Sequence, residues 1–405
     1  MNTRKAGQRL RGLLRAVVAP RRSWSRPDLS GLSGLSREDE KLEASFEAPV
    51  EPGLVEKVLD RYGVKGTFRD YRIGPSVTTY EVEVPVGTRL ASLERYSDDM
   101  ARDLGVPSLR IVKCPTAGSA VGFEVENGAR LPIDFRKLAA GIPGDMALPV
   151  VMGEDTYGNA VYHDLARMPH LLVAGQTGSG KSVFVTSALA TLCALRSPEE
   201  LRLKLVDAKR VEFAEFEGDP HLDGEVASEP DEARALLSGA VSEMERRFAL
   251  LKDARCRKLS DYNKSAGEGR ALPYVIVAVD EFADLMLMGS KPERRAVEES
   301  IVRIAQKARA VGIHLIIATQ KPLVTVVTSI IKANMPARAA FSVSSSVDSR
   351  VVLDENGAES LQGMGDMLYR DPTARLESER LTRVQAPWVP EHDLRLLLGR
   401  EGGQS

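Results

Sequence analysis

Eight consecutive residues near the middle of the chain have the types and spacing of a phosphate-binding loop. The pattern G-x-x-x-x-G-K-[ST] is filled by Gly175, Gln176, Thr177, Gly178, Ser179, Gly180, Lys181 and Ser182. Its glycines allow backbone conformations that other residues avoid, so successive N–H groups can point at phosphate oxygens where a helix begins. The lysine of this pattern reaches the β- and γ-phosphates, and the hydroxyl ligates Mg²⁺. The sequence therefore predicts a site for ATP and Mg²⁺.

Two acids and one amide follow apolar runs elsewhere in the chain. Asp280 and Glu281 end the run 274–279, and Gln320 follows the run 313–319. Successive side chains of a strand point to opposite sides, so the two acids can take different roles. We expect Asp280 to hold the Mg²⁺ shell and Glu281 to polarise the attacking water. Gln320 is either a sensor of the γ-phosphate or an ordinary loop glutamine.

An arginine lies near the end of a helix that the apolar periodicity predicts over residues 300–311, with Gly312 as its stop. Two roles are open for Arg309, and sequence spacing does not decide between them. It can complement the partial negative charge of the helix C-terminus. It can also contact the γ-phosphate bound by a neighbouring subunit.

These residues need a sheet that brings their loops to one edge. Apolar runs that alternate with helical patterns predict an α/β fold with a parallel central sheet over residues 141–405, the α/β domain. Its predicted strands are 171–174, 203–206, 275–279, 314–318 and 339–343. The carboxyl ends of parallel strands share a crevice, where the candidate residues should meet. Before it, residues 51–140 form a small α+β domain, the small domain, which has no phosphate loop. Its predicted elements are helices over 55–62 and 90–104 and strands over 78–86, 109–112 and 121–125.

Composition limits the classes of function. The 405 residues include 55 Lys+Arg and 57 Asp+Glu, a net charge of -2, so local basic loops must hold any polyanionic partner. The three cysteines lie far apart, without metal-ligand spacing, which argues against disulfides and zinc. No run approaches the roughly 18 apolar residues of a membrane span. We expect a cytoplasmic protein.

The first 50 residues differ from the rest of the chain in amino-acid composition. Residues 1–26 carry basic residues and no acid, with apolar residues at helical spacing. This pattern is typical of a short basic helix that contacts an anionic membrane peripherally or touches nucleic acid, and a solvated tail is equally compatible with it. Residues 27–50 are rich in serine, glycine and charge, and we interpret them as a flexible linker.

Several further stretches resemble the FtsK/SpoIIIE family of hexameric DNA translocases. They are Met168-Pro-His-Leu-Leu-Val-Ala-Gly, Glu243-Met-Glu-Arg-Arg-Phe248, Asp280-Glu-Phe-Ala-Asp-Leu-Met286, Ala305-Gln-Lys-Ala-Arg-Ala-Val-Gly-Ile-His314, Lys332-Ala-Asn334 and Gly363-Met-Gly-Asp-Met-Leu-Tyr369. The resemblance covers roughly residues 50–385. It implies that the α/β domain is a RecA-like P-loop NTPase motor and that the small domain is the family's α subdomain.

The resemblance also implies roles for single residues. The family's trans-acting arginine falls on Arg309, and its pore-facing loops fall on residues 319–322 and 344–350. Lys321 and Arg350 thereby become candidate phosphate contacts to DNA. The second pore loop, which includes the candidate DNA-binding residue Ser346, commonly carries a lysine at that position, so one phosphate contact per subunit is expected to be missing. The implied partners are double-stranded DNA and five further copies in a homo-hexamer.

The resemblance leads us to expect an ATP-driven translocase of double-stranded DNA in chromosome segregation, DNA transfer or the handling of phage and plasmid DNA, which the sequence does not separate. This chain shows neither the N-terminal membrane region nor the winged-helix module of cell-division members, so movement should have no intrinsic direction. Two rival functions remain. One is an ATPase of similar fold that moves proteins in secretion, and the other is a module that binds DNA without pumping it.

Overall fold

The computed structural model describes residues 24–114, 120–267, 269–375 and 380–400. Most of the basic segment 1–26, with its predicted helix, lies outside these residues. Within them, no helix combines the length and the apolar character that crossing a membrane requires. The described strands form one sheet of four strands and one of nine.

The segment interpreted as a flexible linker instead packs on the α/β domain and begins a helix. Ser33 N donates a hydrogen bond to the carboxylate of Asp393 (3.1 Å). Just before this segment, the indole of Trp24 donates a hydrogen bond to the carbonyl of Cys193 (3.1 Å). Leu32 is 2% exposed and belongs to the core of the α/β domain. Helix α1 (Arg37–Ser45) follows, capped by Ser36. The linker interpretation was wrong here because single leucines among serines and glycines give no periodicity, although each can fill a gap in a core.

The small domain is built on the antiparallel sheet, whose strand order is β1-β2-β4-β3. Its elements in chain order are α2 (Pro52–Arg61), β1 (Thr67–Ile73), β2 (Val77–Glu83), α3 (Leu90–Glu94), α4 (Ser97–Leu104), β3 (Leu109–Lys113) and β4 (Ala120–Glu126). The helices cover one face, around the buried rings of Tyr80 and Phe123. On the other face Glu124 is 4% exposed and lies 3.8 Å from Arg383 of the α/β domain.

Two features of the small domain differ from the sequence prediction. Strand β1 was not predicted, because its side chains are largely exposed and charged, so they show no apolar alternation. The single helix predicted over residues 90–104 is two helices, α3 and α4, separated at Arg95 and Tyr96. The other helix and the remaining strands of the small domain are confirmed.

The α/β domain is built on a mixed sheet with the order β6-β5-β13-β12-β11-β7-β10-β9-β8. Five strands are mutually parallel: β7 (His170–Ala174), β8 (Leu201–Val206), β9 (Tyr274–Val279), β10 (Ile313–Thr319) and β11 (Ala337–Phe341). All five were predicted. The four added strands are antiparallel and were not predicted: β5 (Pro149–Asp155), β6 (Ala160–Asp164), β12 (Asp366–Arg370) and β13 (Leu381–Gln385).

Helices cover both faces of this sheet because alternate residues of the buried strands face opposite cores. In β7, Leu171 and Val173 belong to one core, and Leu172 and Ala174 belong to the other. The first core includes α5 (Phe135–Ala140), α6 (Lys181–Leu195) and α13 (Glu391–Leu397). The second core includes α7 (Pro230–Asp253), α9 (Phe282–Leu287), α10 (Lys291–Lys307), α11 (Ser329–Asn334) and α12 (Ser346–Leu353), with α8 (Leu259–Ser265) beside it. Helix α5, assigned by sequence to the small domain, therefore packs with the α/β domain.

Candidate active site

The predicted phosphate loop joins the carboxyl end of β7 to the first turn of α6. Gly178 (φ 79°) and Gly180 (φ 101°) have left-handed backbone conformations that favour glycine. A side chain on Gly180 would come within 2.5 Å of the backbone nitrogen of Gly365. The loop is tied to neighbouring segments by Gln176 N donating to Ser342 O (2.8 Å) and Gly365 N donating to Ser179 O (2.8 Å). The loop therefore has a fixed backbone, as a preformed anion cradle requires.

Lys181 forms a buried ion pair with Asp280. Its Nζ lies 2.8 Å from the Asp280 carboxylate and 3.1 Å from the Asp280 carbonyl oxygen. Both side chains are only 2% exposed. A buried ammonium needs an anionic partner, and the carboxylate supplies one in this arrangement. The ammonium has three N–H donors and uses two of them on Asp280, so one donor is left for a phosphate oxygen.

Glu281 is held in place by the end of β10. Its carboxylate accepts hydrogen bonds from the Thr319 hydroxyl (2.6 Å) and from Gln320 N (2.9 Å). It also caps α9 through Ala283 N (3.2 Å), and it is 7% exposed. The sequence analysis placed Thr319 only in the pore-facing loop 319–322 and missed its contact with Glu281. Its hydrogen bond fixes the orientation of the predicted catalytic acid.

Gln320 connects the phosphate loop to this acid. Its side-chain oxygen accepts a hydrogen bond from the Thr177 hydroxyl (2.9 Å), while its backbone nitrogen donates to Glu281. The sensor role remains a prediction.

The residues present fit Mg²⁺ and a triphosphate. The hydroxyl oxygen of Ser179 is buried and has no hydrogen-bond partner among the described residues, so the loop holds an unused polar group. Ser182 lies beside Lys181 at a cavity of about 520 Å³ that opens from the loop. Carboxylate and hydroxyl oxygens, as on Asp280 and Ser182, are the hard ligands that Mg²⁺ prefers.

Arg309 lies far from the phosphate loop of its own chain. Helix α10 ends at Lys307, earlier than predicted, and Arg309 lies in the 3₁₀ turn Ala308–Val311 that precedes β10. Gly312 ends the turn in a left-handed conformation (φ 71°), as predicted. The loop lies at the opposite, carboxyl edge of the sheet, about 20 Å away along a seven-residue strand. Arg309 is exposed, and among the described residues no ion pair involves it.

The residues predicted to contact DNA lie at the carboxyl edge of the sheet. Lys321 is exposed directly after Gln320, and Arg350 is exposed on α12, with its guanidinium 2.7 Å from the Asn356 side-chain oxygen. Ser346 is the first residue of α12. The sequence analysis missed two exposed apolar side chains in the same loops, Val324 (67%) and Val347 (55%).

Comparison with known proteins agrees with this arrangement. The model described as "FtsK/SpoIIIE family" matches residues 143–324, and the model described as "FtsK alpha domain" matches residues 27–127. The chain belongs to the FtsK/SpoIIIE family. The second match includes the segment that the sequence analysis interpreted as a linker. Membership of this family of P-loop ATPases supports nucleotide binding and ATP hydrolysis.

Two relatives show how much of a full-length family member this chain represents. It is 41% identical over 347 residues to the DNA translocase FtsK of Lactiplantibacillus plantarum, covering 83% of this chain and 42% of the relative. It is 40% identical over 349 residues to the DNA translocase FtsK of Leptospira interrogans, covering 84% and 36%. The chain thus spans about two fifths of the length of these relatives.

Two solved structures confirm the P-loop NTPase fold. The pCW3 conjugation coupling protein TcpA, in a monomer form with ATPγS, has a TM-score of 0.58 and 23% identity, covering 87% of this chain and 99% of TcpA. The cytoplasmic domain of the Thermomonospora curvata type VII secretion ATPase EccC has a TM-score of 0.56 and 26% identity, covering 65% and 32%. The expected RecA-like P-loop NTPase fold, with a small domain N-terminal to it, is therefore confirmed.

Proposed function

We propose that this chain is the motor core of an ATP-driven double-stranded DNA translocase that works as a homo-hexameric ring. One observation carries the proposal: Thr177, Gln320 and Glu281 form a hydrogen-bonded chain from the phosphate loop to the predicted catalytic acid. The next residue, Lys321, begins the exposed loop at the edge of the sheet. The nucleotide state is thereby connected, through adjacent residues, to a basic side chain suited to DNA phosphate.

In this proposal the chain prepares the γ-phosphate for attack by water. Lys181 would bind the β- and γ-phosphates, and Asp280 and Ser182 are the residues that would hold Mg²⁺. The metal supplies charge neutralisation on the phosphates. Glu281, oriented by Thr319 and by the backbone of Gln320, polarises the attacking water. Gln320 senses the γ-phosphate through its side chain.

The position of Arg309 supports assembly into a ring. It cannot reach the phosphate loop of its own chain, whereas an arginine supplied by a neighbour can stabilise the charge that develops in phosphoryl transfer. Ring closure would also repeat Lys321, Ser346 and Arg350 around a pore. Six subunits follow from the family resemblance.

The proposal predicts ATP hydrolysis that is stimulated by duplexes of unrelated sequence, together with displacement of a triplex-forming strand from those duplexes. The Glu281→Gln variant serves as the matched control that should bind DNA without displacing the strand. Hydrolysis that ignores DNA would contradict the proposal and favour protein secretion, to which the likeness to EccC points. DNA binding without any turnover would favour the passive module. Contact of residues 1–26 with anionic membrane stays a separate prediction, which cosedimentation with anionic vesicles tests.

A further inference from the structure

Three buried side chains of the types that bind metal ions lie together in the α/β domain, away from the phosphate loop. Cys193 lies near the end of α6, and Asp219 and His221 follow the 3₁₀ turn Ala214–Phe216. One sulfur, one carboxylate oxygen and one ring nitrogen from these residues all lie within 4.8 Å of one another. The three residues are 1%, 4% and 1% exposed. Spacing along the sequence argued against zinc, but only the fold brings this cysteine to ligands from another segment.

The hydrogen bonds of His221 determine which of its ring nitrogens can bind a metal. Its Nε2 lies 2.8 Å from the carbonyl oxygen of Arg196, which can only accept, so this nitrogen carries a hydrogen and donates it. In the neutral ring, Nδ1 then has a lone pair, and it lies 2.8 Å from the carboxylate of Asp219. Two acceptors at this distance repel each other unless they share a proton or a metal ion. Metal-binding histidines usually donate their second ring nitrogen in this way.

The charges of the three side chains match a divalent ion. A thiolate on Cys193 and a carboxylate on Asp219 carry two negative charges, and the ring of His221 is neutral, so a complex with Zn²⁺ has no net charge. This matters because a net charge is costly to bury. Sulfur and imidazole nitrogen are ligands that Zn²⁺ accepts, whereas Mg²⁺ prefers oxygen alone.

We propose that Cys193, Asp219 and His221 form a zinc site that joins the end of α6 to the loop 217–222. Binding would release the proton of the Cys193 thiol, because the thiolate is the ligand. Three protein ligands leave the fourth position of a tetrahedral site to water. The backbone of the loop is already fixed there, since the carbonyl oxygen of His221 accepts a hydrogen bond from Leu203 N on β8 (2.9 Å).

The segment that enters the described part of the chain at Trp24 also meets this site. The indole of Trp24 donates a hydrogen bond to the carbonyl oxygen of Cys193 (3.1 Å) and lies edge-on to His221, with ring centroids 6.2 Å apart. Because α6 begins at the phosphate loop and runs back along the sheet, its end lies at the opposite edge from the ATP site. The zinc would therefore stabilise the packing of three segments and take no part in hydrolysis.

Cobalt(II) tests the proposal, because a cobalt–thiolate bond gives a charge-transfer band in the near ultraviolet. Cobalt bound by oxygen alone, as at Asp280 and Ser182, gives no such band. Titration of the metal-free, unchanged chain should produce the band with about one ion per chain, and Zn²⁺ should abolish it while excess Mg²⁺ should not. Cys193→Ser should lose the band. Cys256→Ser is the matched control, since Cys256 lies in another segment, with its sulfur 3.7 Å from the Ser265 hydroxyl, and should keep it.

Further measurements keep the test decisive if Cys193→Ser does not fold. Asp219→Asn should weaken Zn²⁺ binding by more than the roughly 10–100-fold that loss of an outer-shell partner costs, as measured by competition with a chromogenic chelator. Zn²⁺ should raise the midpoint of thermal unfolding of the unchanged chain more than that of Asp219→Asn. The chain has two tryptophans, so in a Trp388→Phe variant the emission comes from Trp24, and Co²⁺ should quench it.

Two outcomes would overturn the zinc site. If the unchanged chain gives no cobalt–thiolate band and gains no stability from Zn²⁺, His221 and Asp219 share a proton instead. If the band persists in Cys193→Ser, the metal binds another thiol. The proposal does not rest on the proposed function, and calorimetry with ATP and Mg²⁺ on the same preparations tests nucleotide binding separately.

Discussion

Lys181 and Glu281 have different tasks at the residue scale, and their variants should separate binding from hydrolysis. Lys181→Ala removes the phosphate contact and leaves Asp280 buried without its cation, so ATP binding and turnover should both be lost. Glu281→Gln keeps a hydrogen-bonding side chain but removes the base, so ATP should bind while turnover falls about 10²–10⁴-fold. Calorimetry and steady-state hydrolysis measure the two effects. Turnover of Glu281→Gln near that of the unchanged chain would exclude Glu281 as the catalytic base.

Whether Arg309 acts on the ATP site of a neighbouring subunit can be tested with mixed rings. Arg309→Ala should leave ATP affinity nearly unchanged and lower hydrolysis about 10³-fold or more if the arginine acts in trans. Mixed rings of Arg309→Ala and Glu281→Gln subunits should regain activity, since some interfaces then hold both intact residues. The matched control is Arg303→Ala, which removes an exposed arginine of α10 paired with Glu245 (3.0 Å) and should change little. No regain at any mixing ratio would favour the helix-end role.

At the scale of secondary-structure elements, a buried ion pair connects two strands of the α/β domain with the small domain. Arg383 on β13 holds the carboxylate of Asp366 on β12 with two hydrogen bonds (3.0 and 2.7 Å), and Glu124 of the small domain lies 3.8 Å away. Arg383→Met would leave the Asp366 carboxylate buried without its cation, which costs about 3–5 kcal/mol. Glu124 would keep its ion pair with Arg110 (3.1 Å).

Thermal or denaturant unfolding measures this cost. Arg295→Met is the matched control, because it breaks the exposed pair of Arg295 and Glu299 on α10 (2.7 Å); such i,i+4 pairs contribute about 0.3–0.5 kcal/mol. Equal small losses in the two variants would show that the buried pair does not hold these elements together.

The two loops at the sheet edge should set the salt dependence of DNA binding. Each phosphate neutralised contributes about −0.9 to the slope of log affinity against log salt. Lys321→Ala and Arg350→Ala should therefore flatten the slope and uncouple hydrolysis from movement. Lys252→Ala is the matched control, since Lys252 lies in the last turn of α7. Earlier on the same helix, Arg247 donates a hydrogen bond to the Val311 carbonyl at the amino edge of the sheet (3.0 Å), so this helix lies near the edge opposite to the two loops. An unchanged slope in both loop variants would place the DNA elsewhere.

The strands show which parts of the fold the sequence could predict and which it could not. Strands β7, β9 and β10 are buried on both faces, so each is a largely apolar run that differs from its surroundings. Strand β8 instead alternates leucines with the partly buried Arg202 and Lys204. Strands β1 and β6 are largely exposed or intermediate in burial, and without an apolar pattern they escaped prediction. The contacts of Trp24 and Leu32 join positions distant in the chain. The periodicity of a short stretch depends only on residues that are close in sequence, so it does not predict such contacts.

The candidate site likewise contains residues that the sequence predicted and residues that it did not. The phosphate loop, Asp280, Glu281 and Gln320 were found because each follows an apolar run in chain order, and the structure brings them together. Trp388, Met364 and Arg130, which line the cavity beside the phosphate loop, were not found. They reach the cavity from the antiparallel half of the sheet and from the connection between domains, so only the tertiary fold brings them to the phosphate loop.

Stability of the whole molecule should depend on pH through three buried histidines. Burial lowers the pKa of His163 to about 4, of His170 to about 3 and of His314 to about 4. Each is therefore neutral in the folded chain near pH 5.5, where the unfolded chain, with a pKa near 6.5, binds protons more strongly. Unfolding takes up protons in this range, so stability is complete above about pH 6.5 and falls as the pH decreases toward 4.

His170 and His314 lie side by side on neighbouring strands β7 and β10, with ring centroids 6.3 Å apart, so acid should act first on the centre of the sheet. Between pH 7.5 and 5.5 each of His163, His170 and His314 should cost about 1 kcal/mol of unfolding free energy. Denaturant unfolding at the two pH values measures the loss. His314→Gln should reduce the difference between them, because an amide of similar size takes up no proton. His392→Gln is the matched control, since His392 has a side chain that is 67% exposed, and it should leave the difference unchanged. If His314→Gln and His392→Gln behave alike, protonation of the buried histidines does not cause the loss of stability in acid.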